Sequence, residues 1–534
     1  MDMYGNVMEY NLVDGLATNK PTAILGEGSS GMRGTMLPMI GTAGDTLAEN
    51  EDGDLYALYN RNLLLCCAGG DIETILEGTA YSIGTPNSTA DSVFAPSDGS
   101  IIVNMLEGMQ TNRLYKYAWD ENAEINPEKK LSVWSLEENA FVRAAIADLR
   151  KKNPDSYITY EVALTGDNAA SAADAIKTLN TQLLSGKGPD VILLDGCPAG
   201  SYANKGMLLD LSGLVDTGGI YQNLLATYVN DGKIFYLPTQ FVMPALIGQS
   251  DVLDKIQSLD DLVGLVVIGN GTSTMNPGSG PFTSIPEDER AELYFEDLEE
   301  LNDIMWLSAA PAIVKENRLD MDALKRYLGA IKAISDKYGL AETGDGSMTS
   351  MSIGFSSGGQ TSIVPGSLVR YTSQMTNLGA FAADNLTLLE LMMERDGSEI
   401  SVFPGLVPGA WRPLAVAGIS ADSSVVDFAV ELLRTMLSIE VQRINYGAGL
   451  PVTRDGIAEQ IADINSRRIE SDRKTYTIDM DGLINSLREP SAADAALTDM
   501  MWSSVEKLCM GITDVEEAAK EIEQNVKNYL AERA

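Results

Sequence analysis

A chain of 534 residues is too long for a single hydrophobic core, so two or three domains are expected. Hydrophobic residues make up 45% and charged residues 21%, the balance of an ordinary globular protein, which excludes a disordered or fibrous chain. With 38 Lys and Arg against 76 Asp and Glu, the net charge of -38 argues against nucleic acid or anionic lipid as a partner, and the absence of histidine excludes Ser-His-Asp and Cys-His catalysis.

The start, "MDMYGNVMEYNLVDG", has neither a basic nor an apolar stretch, so no export signal is visible in it, and no run of 18 apolar residues occurs anywhere. Residues 1–125 hold short apolar or alternating runs ("LYALYN", "NLLLCCAGG", "SIIVNML", "RLYKYAW") punctuated by "EDGD", "AGGD" and "SDGS". That is the rhythm of antiparallel hairpins, and it predicts a β-rich segment resembling propeller blades. The polar, proline-bearing stretch that follows reads as a linker at residues 126–130.

From Leu131 the pattern changes. "LSVWSL" predicts a strand, "NAFVRAAIADLRKK" a helix with Phe141, Val142, Ala145, Ile146 and Leu149 at helical spacing, and "YITYEVAL" a second strand. "AASAADAIKTLNTQLLSG" predicts the next helix and "DVILLD" the third strand, completing a βαβαβ unit over residues 131–195. In open sheets of this kind ligands bind beyond the carboxyl ends of the strands, so Ser135 to Asn139 and Asp195 to Pro198 are the loops to watch. Helices follow in "EDLEELNDIMWL", "MDALKRYLGAIKAISDKYG" and "SVVDFAVELLRTMLS". The last, "TDVEEAAKEIEQNVKNYLAE", predicts a capping box of Thr513 with Glu516, and places Ile522, Val526 and Tyr529 on one face.

Several motif spellings fail on context. "GEGSSG" at residues 26–31 is followed by "MRGTMLPM", too rich in Gly and Pro for a dinucleotide-binding helix, and "GFSSG" around Ser356 has no histidine to complete a hydrolase triad. No P-loop occurs, and "DMDG" at residues 479–482 is followed by Arg488 where a calcium loop needs a glutamate. Cys66, Cys67, Cys197 and Cys509 show no C-x-x-C spacing and read as buried thiols.

Five stretches in register carry a family resemblance: "KLSVWSLEENAFVRAAIADLRKKNP", "LLSGKGPDVILLDGCPAGSYANKGMLLDLSGLVD", "YVNDGKIFYLPTQFVMPALIGQSDVLDK", "FPGLVPGAWRPLAVAGIS" and "FAVELLRTMLSIEVQRINYGAGLPVTRDGI". From about residue 131 onward the chain resembles the extracellular solute-binding proteins of bacterial ABC importers, of the maltose and carbohydrate-binding type. The resemblance implies an α/β, two-lobed periplasmic-binding-protein-like (type II) fold with an extra N-terminal β-rich segment. Residues 131–240 would form the first part of lobe 1, residues 241–410 the main part of lobe 2, residues 411–455 the return to lobe 1, and residues 456–534 C-terminal helices mainly of lobe 2.

The same resemblance implies no cofactor, no catalytic residue and no metal site. Its partners would be a small solute, an oligosaccharide by preference, and an ABC permease in the membrane; the location would be extracellular, tethered as a lipoprotein. Carried over by position, the ligand contacts are Glu138 after the first strand, Asp195 after the third, Gln240 and Phe241 on the outgoing crossover, Trp306 in the second lobe, Ser367 in a further loop and Trp411 on the return crossover. Two other readings stay open here: a ligand-sensing subunit docked through its β-rich segment, and a glycan enzyme using Glu138 and Asp195 as paired carboxylates.

Overall fold

The computed structural model describes residues 6–7, 23–24, 47–50, 53–59, 62–66, 72–76, 83, 88–107, 111–119, 126–164, 172–268, 298–315, 317–340, 378–383, 398–443, 449–470, 475, 478–491 and 494–532. They fall into two compact units. No helix among them is long and apolar enough to cross a membrane.

The first unit holds the described residues of Met1–Ser132 together with Ala140–Tyr160. β1 (Asn6–Val7) pairs with β2 (Ala23–Ile24). β3 (Leu47–Glu49), β4 (Leu55–Tyr59), β5 (Asn62–Cys66) and β6 (Ile72–Leu76) form a four-stranded antiparallel sheet in sequence order. β7 (Ser88–Phe94), β8 (Ile101–Glu107) and β9 (Thr111–Tyr117) form a three-stranded one. The period of two along β8 turns Ile101, Val103 and Met105 into a core with Leu58, Leu63 and Val93, as the hairpin pattern requires.

Next come β10 (Lys130–Ser135), α1 (Ala140–Lys152), β11 (Tyr157–Val162), α2 (Ala172–Leu184) and β12 (Val191–Leu193), the predicted βαβαβ order. All five residues named for the helical face of α1 are buried. After α3 (Ala199–Asn204) and α4 (Gln222–Ala226), β13 (Tyr236–Leu237) supplies the edge strand of one sheet and β14 (Gln240–Gln249) begins another. The second half then adds α5 (Ser250–Leu253), α6 (Leu259–Ile268), α7 (Leu298–Ile313), β15 (Val314–Lys315), β16 (Arg318–Leu319) and α8 (Met321–Tyr338). Strands β17 (Leu378–Ala383), β18 (Ser398–Val402), β19 (Ala410–Leu414), β20 (Ala417–Ile419), β21 (Leu450–Pro451) and β22 (Glu489–Pro490) follow.

One sheet runs β11-β10-β12-β20-β13, with β10 and β12 parallel and β20 antiparallel to both of its neighbours. The other is built on β14, whose first residues pair with β19 and β21 and whose later ones pair with β17 and β18. Each sheet has its own core. Trp134, Leu179, Ile192 and Leu194 pack against the first; Ile304, Leu328, Ile331, Ile522 and Val526 pack in the second. Among the described residues the chain passes from the first sheet to the second from β13 to β14, back from β19 to β20, and out again between β20 and β21.

Local chemistry sets the helix ends. Asp320 caps α8 by accepting from the Ala323 N–H, and Gly339 closes it in the left-handed conformation. The helix cap lies one residue later than predicted: Asp514, not Thr513, accepts from the Glu517 N–H at the start of the helix Val515–Glu532. Asp is as good a cap as Thr, and the buried Thr513 hydroxyl is left without a partner among the described residues. "DMDG" is likewise a cap: Asp479 accepts from the Gly482 N–H. Cys197 and Cys509 are buried and form no disulfide among the described residues, as expected, whereas the side chains of Cys66 and Cys67 and the "GEGSSG" and "GFSSG" motifs lie outside the described residues.

Asp494 serves two elements at once, accepting from the Leu497 N–H at 3.0 Å as the cap of the helix Ala495–Cys509 and from the Tyr529 hydroxyl at 2.7 Å. Asp494→Ala is expected to cost about 2 kcal/mol in urea unfolding, one part for the cap and one for the stranded hydroxyl. Asp494→Asn, which keeps an acceptor, should recover most of it.

Candidate functional site

The two loops singled out from topology meet. Gly196 has φ +74°, and a Cβ there would sit 3.0 Å from Leu136 Cδ2, so the turn after β12 lies directly against the loop after β10. Within that loop the Ser135 hydroxyl donates to the Glu137 carbonyl at 2.6 Å; Glu137 is exposed and Glu138 half-buried.

Asp195 faces the return passage of the chain. The Val416 N–H donates to Asp195 Oδ2 at 3.0 Å, and the Leu194 N–H donates to the Val416 carbonyl at 2.7 Å. The residue keeps some exposed surface, but its carboxyl is desolvated, and this above all pushes it up to about 7; the backbone N–H groups of Val416 and Ala415 oppose the rise and the Glu137 carboxylate adds to it. The carboxylate acting on Asp195 is thus that of Glu137, next to the residue named from the sequence.

Beside this carboxyl stands a group of aromatic rings. Tyr228 meets Tyr236 edge-on at 5.6 Å and lies tilted against Trp411 at 6.3 Å, and Trp411 meets Phe241 edge-on at 6.1 Å. The strand register explains the last contact. Phe241 is opposite Pro413 and Val242 opposite Arg412, so Phe241 and Trp411 are diagonal neighbours on one face, while Gln240, Val242, Arg412 and Leu414 occupy the other. Burial holds the Tyr228 hydroxyl well above its ordinary value, with Tyr236 and the Asp195 charge contributing. Phe241 and Trp411 are both fully buried, and the buried Trp411 Nε1–H has no acceptor among the described residues. An indole N–H in this position normally finds a partner, so the ring group retains one open donor.

The other predicted contacts separate from this group. Gln240 donates to the Gly449 carbonyl at 3.3 Å, and its buried Oε1 has no donor among the described residues. Trp306 lies in the helical core of the second half, edge-on to Tyr327 at 5.6 Å, because its position on the buried stripe of α7 points it inward. Ser367 lies outside the described residues. Tyr228 and Tyr236 were not among the expected contacts, although both flank the crossover in "TYVNDGKIFYLP". A cavity of about 240 Å³ lies elsewhere, lined by Asp216, Ile220, Arg434, Leu437, Thr453 and Asp455 among others, none of them a predicted contact.

No protein-family model matches the chain, and no curated protein matches it in sequence. Solved structures do match. An extracellular solute-binding protein family 1 member from Alicyclobacillus acidocaldarius is 13% identical, covering 77% of this chain and 100% of its own, with a TM-score of 0.45. The chain is similar to extracellular solute-binding proteins. The sugar-binding protein MalE from Xanthomonas citri is 15% identical over 76% of this chain and 98% of its own, with a TM-score of 0.48. The ABC substrate-binding protein Lmo0181 from Listeria monocytogenes, solved in complex with cycloalternan, is 16% identical over 75% of this chain and 99% of its own, with a TM-score of 0.45.

Proposed function

We propose that this chain is the solute-binding component of a bacterial ABC importer, which captures a small carbohydrate between two α/β halves and hands it to a membrane permease without altering it. One observation carries the reading. The passages from β13 to β14 and from β19 to β20 converge on a carboxyl and four aromatic rings, Asp195 with Tyr228, Tyr236, Phe241 and Trp411, and a buried indole N–H there still has no acceptor among the described residues. Aromatic faces suit the C–H faces of pyranose rings, and an unused N–H suits a sugar oxygen. Opening of the halves would expose rings that the present arrangement covers.

Glu138, Gln240, Trp306 and Ser367 remain proposed contacts of the same kind, and the location proposed for the protein is outside the cell, held by a lipid anchor. A calorimetric screen of the purified chain over maltodextrins, cyclic glucans and polyamines tests the reading. A bound oligosaccharide at 100 times its Kd should add about 2.7 kcal/mol to stability. Stabilisation by polyamines alone would overturn the carbohydrate assignment, and release of shortened sugars would overturn the non-catalytic one.

A further inference from the structure

The strand face opposite to Phe241 and Trp411 carries a polar pair that the ring group does not use. Along β14 and β19, Gln240 is opposite Leu414 and Val242 opposite Arg412, so Gln240 and Arg412 are diagonal neighbours on one face, roughly 7 Å apart at the backbone. α7 covers that face through Leu307, which packs against Val242 and Leu414. Gln240 is 2% exposed; its amide nitrogen donates to the Gly449 carbonyl at 3.3 Å, and its buried Oε1 has no donor among the described residues. Arg412 is partly exposed, but its Nε is buried and has no acceptor among the described residues. Burial pulls the guanidinium below its ordinary value, and the Asp303 carboxylate of α7 opposes the fall without bonding to Nε.

An open donor and an open acceptor within reach of one another, yet not bonded to each other, define what would fill the place between them. The guanidinium stays charged in a protein, and water can serve the amide oxygen but cannot balance that charge. The occupant that meets both needs offers an anion to Arg412, a hydroxyl to Gln240 and C–H surface to Val242, Leu307 and Leu414. We propose that Arg412 and Gln240 read an acidic group on the solute, which makes the solute a uronate-bearing oligosaccharide rather than a neutral one. A planar carboxylate takes two parallel N–H bonds from a guanidinium, and Gln240 Oε1 accepts from a hydroxyl of the same sugar. A phosphate monoester fits less well, because it carries close to two negative charges where Arg412 offers one positive charge with Asp303 nearby. The net charge of -38 repels an anion from a distance, so selectivity for an acid has to come from a cation within the site. The inference rests on the carbohydrate-binding reading, and the experiment separates the two.

Titration calorimetry of the full chain tests it, with trimers of galacturonate, glucuronate and mannuronate, each beside its carboxyl-reduced neutral counterpart, and with maltotriose and glucose 1-phosphate. At least one acidic trimer is expected to bind about tenfold or more tightly than its reduced counterpart, the worth of a charge-assisted pair of hydrogen bonds. Arg412→Gln should abolish that difference, and Arg412→Lys, which keeps the charge but not the planar fork, should retain only part of it. Reduced trimers or maltotriose binding as tightly as the acids would overturn the acidic solute and leave the carbohydrate reading standing. An unchanged preference in Arg412→Gln overturns the role of Arg412, and tighter binding of glucose 1-phosphate than of any uronate overturns the carboxylate. Should Arg412→Gln not fold, the ratio between acidic and reduced trimers in the unmodified protein decides. Binding of no saccharide, acidic or neutral, overturns both this inference and the function it rests on.

Discussion

Replacing Trp411 with alanine is expected to lower the unfolding free energy by about 3–5 kcal/mol, the usual loss for truncating a fully buried tryptophan. The ring is completely covered and touches Phe241 and Tyr228, so its removal leaves a cavity beside the return passage that neither neighbour can fill without leaving its edge-on packing. Trp411→Phe separates packing from hydrogen bonding. The indole N–H has no acceptor among the described residues, so phenylalanine forfeits no bond in the unliganded protein and should recover most of the stability. If that N–H is held for a solute oxygen, the same variant should bind sugar about tenfold more weakly, the worth of one hydrogen bond. Urea unfolding and titration calorimetry on both variants give the two readings. An alanine variant weakened by less than 1 kcal/mol would mean that the indole does not sit in this packed group.

The elements of the α/β part were readable because each rests on local rules. Alternation and the 3.6-residue period marked β10, α1, β11, α2 and β12, and Asp320 and Gly339 punctuate α8 as caps do in isolated peptides. Where two adjacent residues obey the same rule, as Thr513 and Asp514 do, sequence alone places the cap to within one residue. The site was readable only in part. Topology singled out Asp195, since in open sheets of this kind ligands bind beyond the carboxyl ends of the strands. It did not reveal that the carboxylate would be engaged by Val416, more than two hundred residues later, because that bond is a product of the return passage and leaves no local trace.

The aromatic residues show the same limit. Trp306 and Trp411 are alike in sequence, large rings among apolar neighbours, and only the face each element buries sends one into the helical core and the other beside the passage. Tyr228 and Tyr236 flank a polar turn, "VNDG", which reads as surface. Their proximity to Trp411 depends on how that turn folds back, a contact no periodicity encodes.

Gly409→Ala is expected to be about as damaging as the loss of Trp411, by a different route. Gly409 has φ +76°, and a Cβ there would sit 2.7 Å from the Ser486 carbonyl oxygen and 3.3 Å from the Arg488 nitrogen. The positive φ alone costs roughly 1–2 kcal/mol in any L-residue, and forcing a methyl group into packed backbone adds about 1–3 kcal/mol. Backbone is what it meets, so no rotamer change relieves the overlap. The Arg488 N–H donates to the Gly409 carbonyl at 2.7 Å and the Ser491 N–H to the Trp411 carbonyl at 2.7 Å, bonds that dock β22 against β19 in parallel register. A methyl group at residue 409 must push β22 away from β19, and Trp411, two residues on, moves with whichever strand yields. Gly206→Ala is the control: it shares the positive φ at +70° but has no atom within 4 Å of its Cβ position. It should cost about 1–2 kcal/mol and leave sugar binding untouched, whereas Gly409→Ala should lose about 3 kcal/mol and weaken binding as well. Equal losses in the two variants, read by urea unfolding, would assign the whole effect to backbone conformation and remove the argument that β22 holds Trp411 in place.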